Sequence, residues 1–553
     1  MLLKNNKKQV KVRTCILSTM MTITFGFLIV RLAYIQLTEG PTLEVSANQQ
    51  YYYEEYTDNL NFKLLDRNNE SLFKHTVKYY AVIDPMTFFT LNEDNAFLLM
   101  KNVSYILRGC DKDYDVSLLQ YEMEQGNHSY EIDKDSYEKL KKIKDVRGIY
   151  VYEYEDYNKN SDWNIRNLLS TGVKYSDNSK LKDEGTLERE IYEYVKNNEQ
   201  DKVRFEKDVS GNIIAETFIE NKENKNVVTT LDSRIQDKVE EVLRSKNYEE
   251  YKQVGAIIME SDTGDILAMA QKNDNLSNVN IGVPSGSGFL MGSTFKTILY
   301  ETALEKELIG QDEKFYLLKN ILPKSIEKLV SYNLQEAYIA SSNHTFAQVG
   351  WKVGMDNIYE LASKQGLFDK ILGLQDERNG TIEGYKEESN LDVITNTSIG
   401  QTVRSTPVAA LTIPNTVINN GIYIKPRIIK EIVSDVNEVV KKYESESTRV
   451  FSEYTAGVIK AGMIGVVNDD LGTGSNARID NLEVGGKTGT TEYFQGEKKS
   501  SDGWFTGFFR YNNKYYSMVI YLPQIEDKSG DSKTACLVFK DIVETLIKDD
   551  YLN

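Results

Sequence analysis

The sequence predicts an α+β protein: an antiparallel sheet packed with helices, following an irregular α+β region and one N-terminal membrane helix. Three observations carry this expectation. From residue 228 onward a helical stretch, two apolar runs about a tight turn, further helices and late strands succeed one another. Residues 38–225 are polar and Tyr-rich, with only short apolar alternations. Thr14–Val30 carries no charge. At 553 residues the chain exceeds what one domain usually holds. The division expected is a tail over 1–13, an anchor over 14–37, a first outer domain over 38–227 and a second over 228–553.

The anchor comes first. Thr14–Val30 is followed by Arg31 and by the apolar stretch to Leu37. Together they supply the roughly 20 residues that cross a bilayer, with Arg31 able to reach the interface. Lys4, Lys7, Lys8, Lys11 and Arg13 precede the run, and no acid does. Positive charge stays inside, so the tail is expected in the cytoplasm and the remainder outside it. A cleaved signal peptide is the weaker reading, because Thr38, Glu39, Gly40 and Pro41 offer no A-x-A-like site.

In the first outer domain, Tyr79–Ile83 alternates like a strand, and Leu181–Glu199 reads as a surface helix. No internal repeat and no Pro- or Gly-rich linker divides it. In the second, a helix is expected to open after Val228 and run to about Leu243, capped by Asp232 or Ser233. Val254–Met259 and Asp265–Ala270 then flank Asp262-Thr263-Gly264, a hairpin signal.

Composition removes several function classes. Hydrophobic residues make up 40% and charged residues 27%, an ordinary globular balance. The net charge is −17, and −22 without the five basic residues of the tail. A nucleic-acid partner is not expected of such a surface. Cys15, Cys110 and Cys536 are too few and too scattered for a disulfide framework; Cys110 and Cys536 could pair only over a long range, and buried free thiols are the expectation. His75, His128 and His344 have no metal-ligand spacing, so no metal and no cofactor is expected. So few histidines also weigh against a Ser–His–Asp triad.

Three short motifs carry chemistry. Gly292-Ser293-Thr294-Phe295-Lys296 heads an apolar-periodic stretch to about Leu304. On a helix Ser293 and Lys296 lie one above the other. A serine hydroxyl needs a base to become a nucleophile, and a lysine serves when burial holds it neutral. The motif alone is weak. It recurs at Ser136/Lys139, Ser179/Lys182 and Ser325/Lys328, in charged contexts that read as solvated surface pairs. Ser341-Ser342-Asn343 offers a hydroxyl to relay a proton and an amide to bind a carbonyl. Against that stand a plain helix cap and the neighbouring Ser331-Tyr332-Asn333. Val484-Gly485-Gly486-Lys487-Thr488-Gly489-Thr490-Thr491 contains the one Lys-Thr-Gly of the chain. Its small residues let a peptide lie alongside a strand, with Lys487 supplying positive charge and Thr488 and Thr490 hydroxyls.

The order S-x-x-K, S-x-N, K-T-G is what decides between these readings. From Val228 to about residue 545 the chain resembles the transpeptidase domain of penicillin-binding proteins. Ala256–Ala270 is similar to that family's opening hairpin. Ser398-Ile-Gly-Gln-Thr402, Thr406-Pro407 and Asn420-Gly421 resemble its G-Q, T-P and N-G stretch. Asp502–Phe508 resembles the strand after K-T-G. Leu65-Asp66-Arg67-Asn68, Ile83-Asp84-Pro85 and the helix around Gly185–Tyr194 resemble the pedestal of the class B, monofunctional type, although Asn69 stands where glycine is usual. No stretch resembles a glycosyltransferase domain. Met291, Ser398 and His344 also depart from the usual pattern (proline, glycine and an apolar residue, respectively), which bears on substrate fit.

The resemblance implies a serine D,D-transpeptidase with catalytic Ser293, Lys296 and Ser341. It assigns substrate binding to Asn343, Lys487, Thr488, Gly489 and Thr490, and an oxyanion hole to the Ser293 and Thr490 backbone N–H groups. The partners it implies are peptidoglycan stem peptides, β-lactams that trap Ser293, the bilayer through 14–37 and a SEDS-type glycan polymerase. A D,D-carboxypeptidase and a catalytically idle cell-wall scaffold are the alternatives. A β-lactamase and a membrane β-lactam sensor fit less well.

Overall fold

The computed structural model describes residues 2–36, 51–92, 95–114, 116–122, 126–143, 146–157, 163–174, 176–310, 312–316, 331–385, 390–495, 498–524 and 530–552. Helix α1, Leu2–Tyr34, contains residues 14–34 of the expected anchor. Its stretch Lys11–Tyr34, 24 residues containing an 18-residue window of mean hydropathy 1.8, is long and apolar enough to cross a membrane. Leu37, the last residue of the expected anchor, lies outside the described residues.

Beyond α1 the compact units interleave. One comprises Met1–Leu60, His75–Tyr157 and Glu199–Asn221; the other comprises Asn61–Lys74, Asn158–Asn198 and Lys222–Asn553. The single cut expected at 227/228 is therefore replaced by several crossings. The reason is long-range pairing that no local pattern announces. Leu64–Leu65 runs parallel to Lys225–Thr229, and buried Asp66 accepts hydrogen bonds from the Asn68 and Glu70 backbone and from the Ser233 hydroxyl (2.7, 2.9 and 2.8 Å).

In the smaller unit, His75–Ile83 pairs with His128–Ile132 on one side and Ile149–Tyr157 on the other. Tyr52–Tyr56, Lys202–Lys207 and Ile213–Ile219 form a second three-stranded sheet. Ala81, Ile83, Phe88, Val103 and Leu107 pack one core there, and Tyr53 stacks on Tyr150 at 4.0 Å in another. The strand expected over Tyr79–Ile83 is thus real and longer.

The larger unit is built on a five-stranded antiparallel sheet. Its elements are α2 (Ser233–Leu243), β1 (Gly255–Glu260), β2 (Asp265–Gln271), α3 (Lys296–Glu305), α4 (Leu334–Ile339), α5 (Asn343–Val353), α6 (Glu453–Asn468), β3 (Glu483–Gln495), β4 (Lys498–Tyr511), β5 (Lys514–Leu522) and α7 (Ser532–Lys548). The strand order is β2–β1–β5–β4–β3, every neighbour antiparallel. The expected hairpin is β1–β2, and Asp232 caps α2 through the Arg234 and Ile235 N–H groups. Ile235, Val239 and Leu243 of α2 and Phe539, Ile542 and Leu546 of α7 cover one face, over Ala256, Ile258, Phe505, Met518 and Ile520. The alternate residues Ile257, Met259, Trp504, Phe508 and Tyr521 are equally buried, which the period of two along a strand requires when both faces are covered. The helix expected over Leu181–Glu199 is shorter: Asp177–Leu181 is a strand, and Leu187–Val195 alone is helical.

Candidate active site

The three motifs arrive from three elements of the larger unit. Gly292–Phe295 forms a 3-10 turn that leads into α3 at Lys296. With three residues per turn, positions 293 and 296 eclipse, so the turn stacks Ser293 over Lys296 more directly than an α-helix does. The turn is fixed by its surroundings. Gly292 adopts φ +54, and a Cβ there would meet the Thr490 carbonyl oxygen at 2.7 Å. Gly292 N donates to Gly400 O at 3.0 Å, and a Cβ on Gly400 would lie 2.0 Å from Gly292 O. Both glycines are therefore required. Met291 is buried and donates its N–H to Val403 O at 2.9 Å, a bond that a proline there could not make.

Ser341 occupies the junction of α4 and α5, with φ +53. The helix cap is its neighbour Ser342, whose hydroxyl accepts from Thr345 N. Capping thus leaves the Ser341 side chain free to turn inward. Lys296 Nζ donates to Ser341 O (2.7 Å), to Asn343 Oδ1 (2.6 Å) and, at 3.3 Å, meets Ser341 Oγ. Lys487 Nζ donates to the same Ser341 Oγ at 2.9 Å and to Thr488 O at 3.1 Å. The Ser341 hydroxyl therefore sits between two lysines, both completely buried. Among the described residues neither ammonium has a carboxylate within 4.0 Å. Burial first, and the neighbouring Lys487 second, hold Lys296 well below the usual lysine range. Burial brings Lys487 down to about 7, slightly opposed by the Cys536 thiol on α7.

The remaining positions line β3, the outer strand of the sheet. At Gly489 a Cβ would strike Thr294 Cγ2 at 2.7 Å and Met291 O at 2.9 Å, so only glycine lets the strand approach the Ser293 turn. The Thr488 hydroxyl shares a 2.6 Å hydrogen bond with that of Thr473, and exposed Thr490 donates to Ser532 Oγ at 3.1 Å at the start of α7.

Lys296, Ser341, Asn343 and Lys487 thus join one hydrogen-bond network. Ser293, Gly489 and Thr490 meet through backbone contact of the turn with β3. No hydrogen bond of the Ser293 hydroxyl is found among the described residues, and exposed Asn343 reaches the cleft from the first turn of α5. Sequence reasoning missed Thr473, Gly400's contact with the turn, and Ser532. It also missed the rings of Phe346 and Tyr338, which lie 5.6 Å from Lys296 Nζ and 5.8 Å from Lys487 Nζ. Thr473, Gly400 and Ser532 are single residues far from the motifs in the chain, and Tyr338 and Phe346, though close to Ser341 and Asn343, read there as helix core.

The competing motifs resolve differently. Asn333 of Ser331-Tyr332-Asn333 caps α4 in a capping box with Glu336. Lys139 pairs with Asp135 at the surface. Lys182 is not a solvated lysine: it is 2% exposed and paired with Glu188 at 2.9 Å. Ser325 and Lys328 lie outside the described residues. Ser398 fits where glycine is usual because Gly350 of α5 makes room; a Cβ on Gly350 would lie 1.7 Å from Ser398 Oγ. Asn69 holds φ +67, a conformation that asparagine tolerates.

Comparison with known proteins agrees with this cleft. Residues 254–544 match the penicillin binding protein transpeptidase domain. Penicillin-binding protein PbpB of Mycolicibacterium smegmatis is 28% identical over 291 residues, 48% of this chain and 44% of that protein. Stage V sporulation protein D of Bacillus subtilis is 26% identical over 447 residues, 75% of this chain and 67% of that protein. The crystal structure of a peptidoglycan synthetase from Bifidobacterium adolescentis superposes with TM-score 0.62 at 18% identity, covering 91% of this chain and 97% of that one. Penicillin binding protein 3 of Mycobacterium tuberculosis, solved with aztreonam, gives TM-score 0.58 at 18% identity, covering 90% and 98%. The matched segment alone exceeds half of the 553 residues, and it holds every residue of the network just described; the chain belongs to the penicillin-binding protein transpeptidase family.

Proposed function

We propose that this protein is a class B, membrane-anchored serine D,D-transpeptidase that cross-links peptidoglycan stem peptides. The observation that carries the reading is the Ser341 hydroxyl held between two buried lysines that have no carboxylate partner among the described residues.

The chemistry follows from that arrangement. A neutral Lys296 donates two N–H bonds, to Ser341 O and Asn343 Oδ1, and keeps its lone pair for the Ser293 proton. Ser293 Oγ then forms a bond to the carbonyl carbon between two D-alanines. The oxyanion develops against the Ser293 and Thr490 N–H groups, an arrangement worth several kcal/mol in such sites. The proton passes from Lys296 through Ser341 to the leaving amine, and D-alanine departs. Lys487 keeps a charged donor on Ser341 Oγ, and with Thr488, Gly489 and Thr490 it lines the end that takes the terminal carboxylate. Asn343 holds the donor amide. An amine of a second stem peptide attacks the acyl-enzyme and restores Ser293. Edge strand β3 offers its backbone to the donor peptide.

β-Lactams are proposed to acylate Ser293 in place of the donor, as the aztreonam-bound relative suggests. The basic residues in the first turns of α1 support a cytoplasmic N-terminus with the chain after the anchor beyond the membrane, and a SEDS-type polymerase is the proposed partner. Incubation of the full chain in detergent with a stem-peptide donor and an amine acceptor tests the reading. Cross-linked product that disappears in Ser293→Ala supports it. Released D-alanine without cross-links would instead establish a carboxypeptidase, and neither product an idle scaffold.

A further inference from the structure

Tyr338 ends three residues before Ser341, near the C-terminus of α4, and its side chain is fully buried. Its ring touches all three motif-bearing segments. Lys487 Nζ stands 5.8 Å from the ring centroid. The phenol oxygen lies 2.9 Å from Thr297 Oγ1, the residue after Lys296 on α3. Tyr300, one turn further along α3, packs on the ring at 5.1 Å, and Phe346 of α5 approaches at 6.3 Å. The floor is closed from below by Gly462 of α6, where a Cβ would meet Tyr338 Cδ1 at 3.1 Å and Tyr300 Cε1 at 3.3 Å.

The charges around this ring are few. Lys487 faces Lys296 from α3 and the Cys536 thiol from α7, and burial pushes that thiol up, so it stays neutral. Glu301 of α3, facing Tyr338, is fully buried and held well above the carboxylate range, with Gln365 as its hydrogen-bond donor. Lys460 on α6 is engaged with Glu483 and the Tyr515 hydroxyl. Two lysine amines therefore share one enclosed pocket, and among the described residues no ionised carboxylate offsets the charge on Lys487. A π-face attracts a desolvated ammonium, and it does so without a proton to exchange.

We propose that Tyr338 is a positioning residue for the reaction: its ring face holds the Lys487 ammonium on Ser341 Oγ. The inference rests on the transpeptidase reading above. It makes Tyr338 the counterpart of an absent carboxylate. A carboxylate would also raise Lys296 into its charged, inactive form, whereas the Tyr338 face lies over Lys487 at 5.8 Å and the ring over Lys296 is that of Phe346.

The test is the pH profile of acylation by a penicillin, measured on the full chain in detergent by intact mass. The variants are Tyr338→Phe, trifluorophenylalanine at 338, which keeps the shape but cancels the negative face, and Tyr338→Leu. Loss of the Lys487 charge sets the alkaline limb. The phenylalanine variant is expected to keep the limb of the wild type. The fluorinated ring is expected to move it down by about one pH unit, and leucine, if folded, at least as far. A fluorinated protein with the phenylalanine profile overturns the inference while leaving the transpeptidase reading intact. A wild type that forms no adduct at any pH overturns both.

Discussion

Two segments of the larger unit carry the same S-x-x-K spelling and both bury the lysine, yet they do different work. At Ser179/Lys182 the ammonium meets Glu188 at 2.9 Å and both side chains are almost fully enclosed. Glu188 also accepts from the Gln375 N–H. That lysine is a charged strut. At Ser293/Lys296 the amine meets only uncharged oxygens among the described residues, with a second lysine as its charged neighbour. Burial costs the charged form in both places. At Lys182 a carboxylate answers the buried ammonium; at Lys296, among the described residues, none does, and burial disfavours its charged form, as the proposed role of base requires. The partner, not the motif or the burial, separates structure from chemistry.

Substitutions can break this contrast in either direction. The largest effect is expected of Lys296→Ala, which should slow penicillin acylation by about 10²–10⁴-fold with an unchanged circular dichroism spectrum. A loss of fold instead would make Lys296 a strut as well. Glu188→Ala leaves Lys182 buried and alone, and it should cost about 3–5 kcal/mol in denaturant unfolding, while acylation per folded molecule stays as in the wild type. Slowed acylation at unchanged stability would contradict the division drawn here.

The pH dependence sharpens the comparison. In the proposed mechanism Lys296 is neutral and Lys487 charged, so the second-order acylation constant should fall on the acid side as Lys296 gains its proton. It should fall again as pH rises through about 7, where Lys487 loses its own. Each unit beyond a limb costs about tenfold. A flat profile from pH 5 to 9 would remove the two-lysine account. The smallest effect belongs to Lys139→Ala. That lysine pairs with Asp135 in full solvent, and neither Tm nor acylation should move measurably.

Much of this was legible in the sequence because local chemistry repeats local geometry. Asp232 capping α2, the turn between β1 and β2, the charge-free run in α1 and the spelling of the three motifs are all decided within a few residues. What was not legible depends on distant partners. Lys182 looks solvated until Glu188 folds over it. The unit boundary looks single until Leu64–Leu65 pairs with Lys225–Thr229. Ser398 looks like a departure until Gly350 is seen to make room for it. The aromatic floor under the lysines comes from Tyr338 and Phe346, which as isolated letters read only as helix core. Ser342, not Ser341, turned out to be the cap, and that one-residue distinction is what frees the Ser341 hydroxyl for Lys487.

The account depends most directly on Ser293 as the acylated residue, in a cleft where Lys296 serves as its base. Peptide mapping of the full chain after incubation with a penicillin measures this. The account predicts one adduct, on the peptide containing Ser293, absent from Ser293→Ala and strongly slowed in Lys296→Ala. An adduct on another residue, or one that persists undiminished in Ser293→Ala, would contradict it.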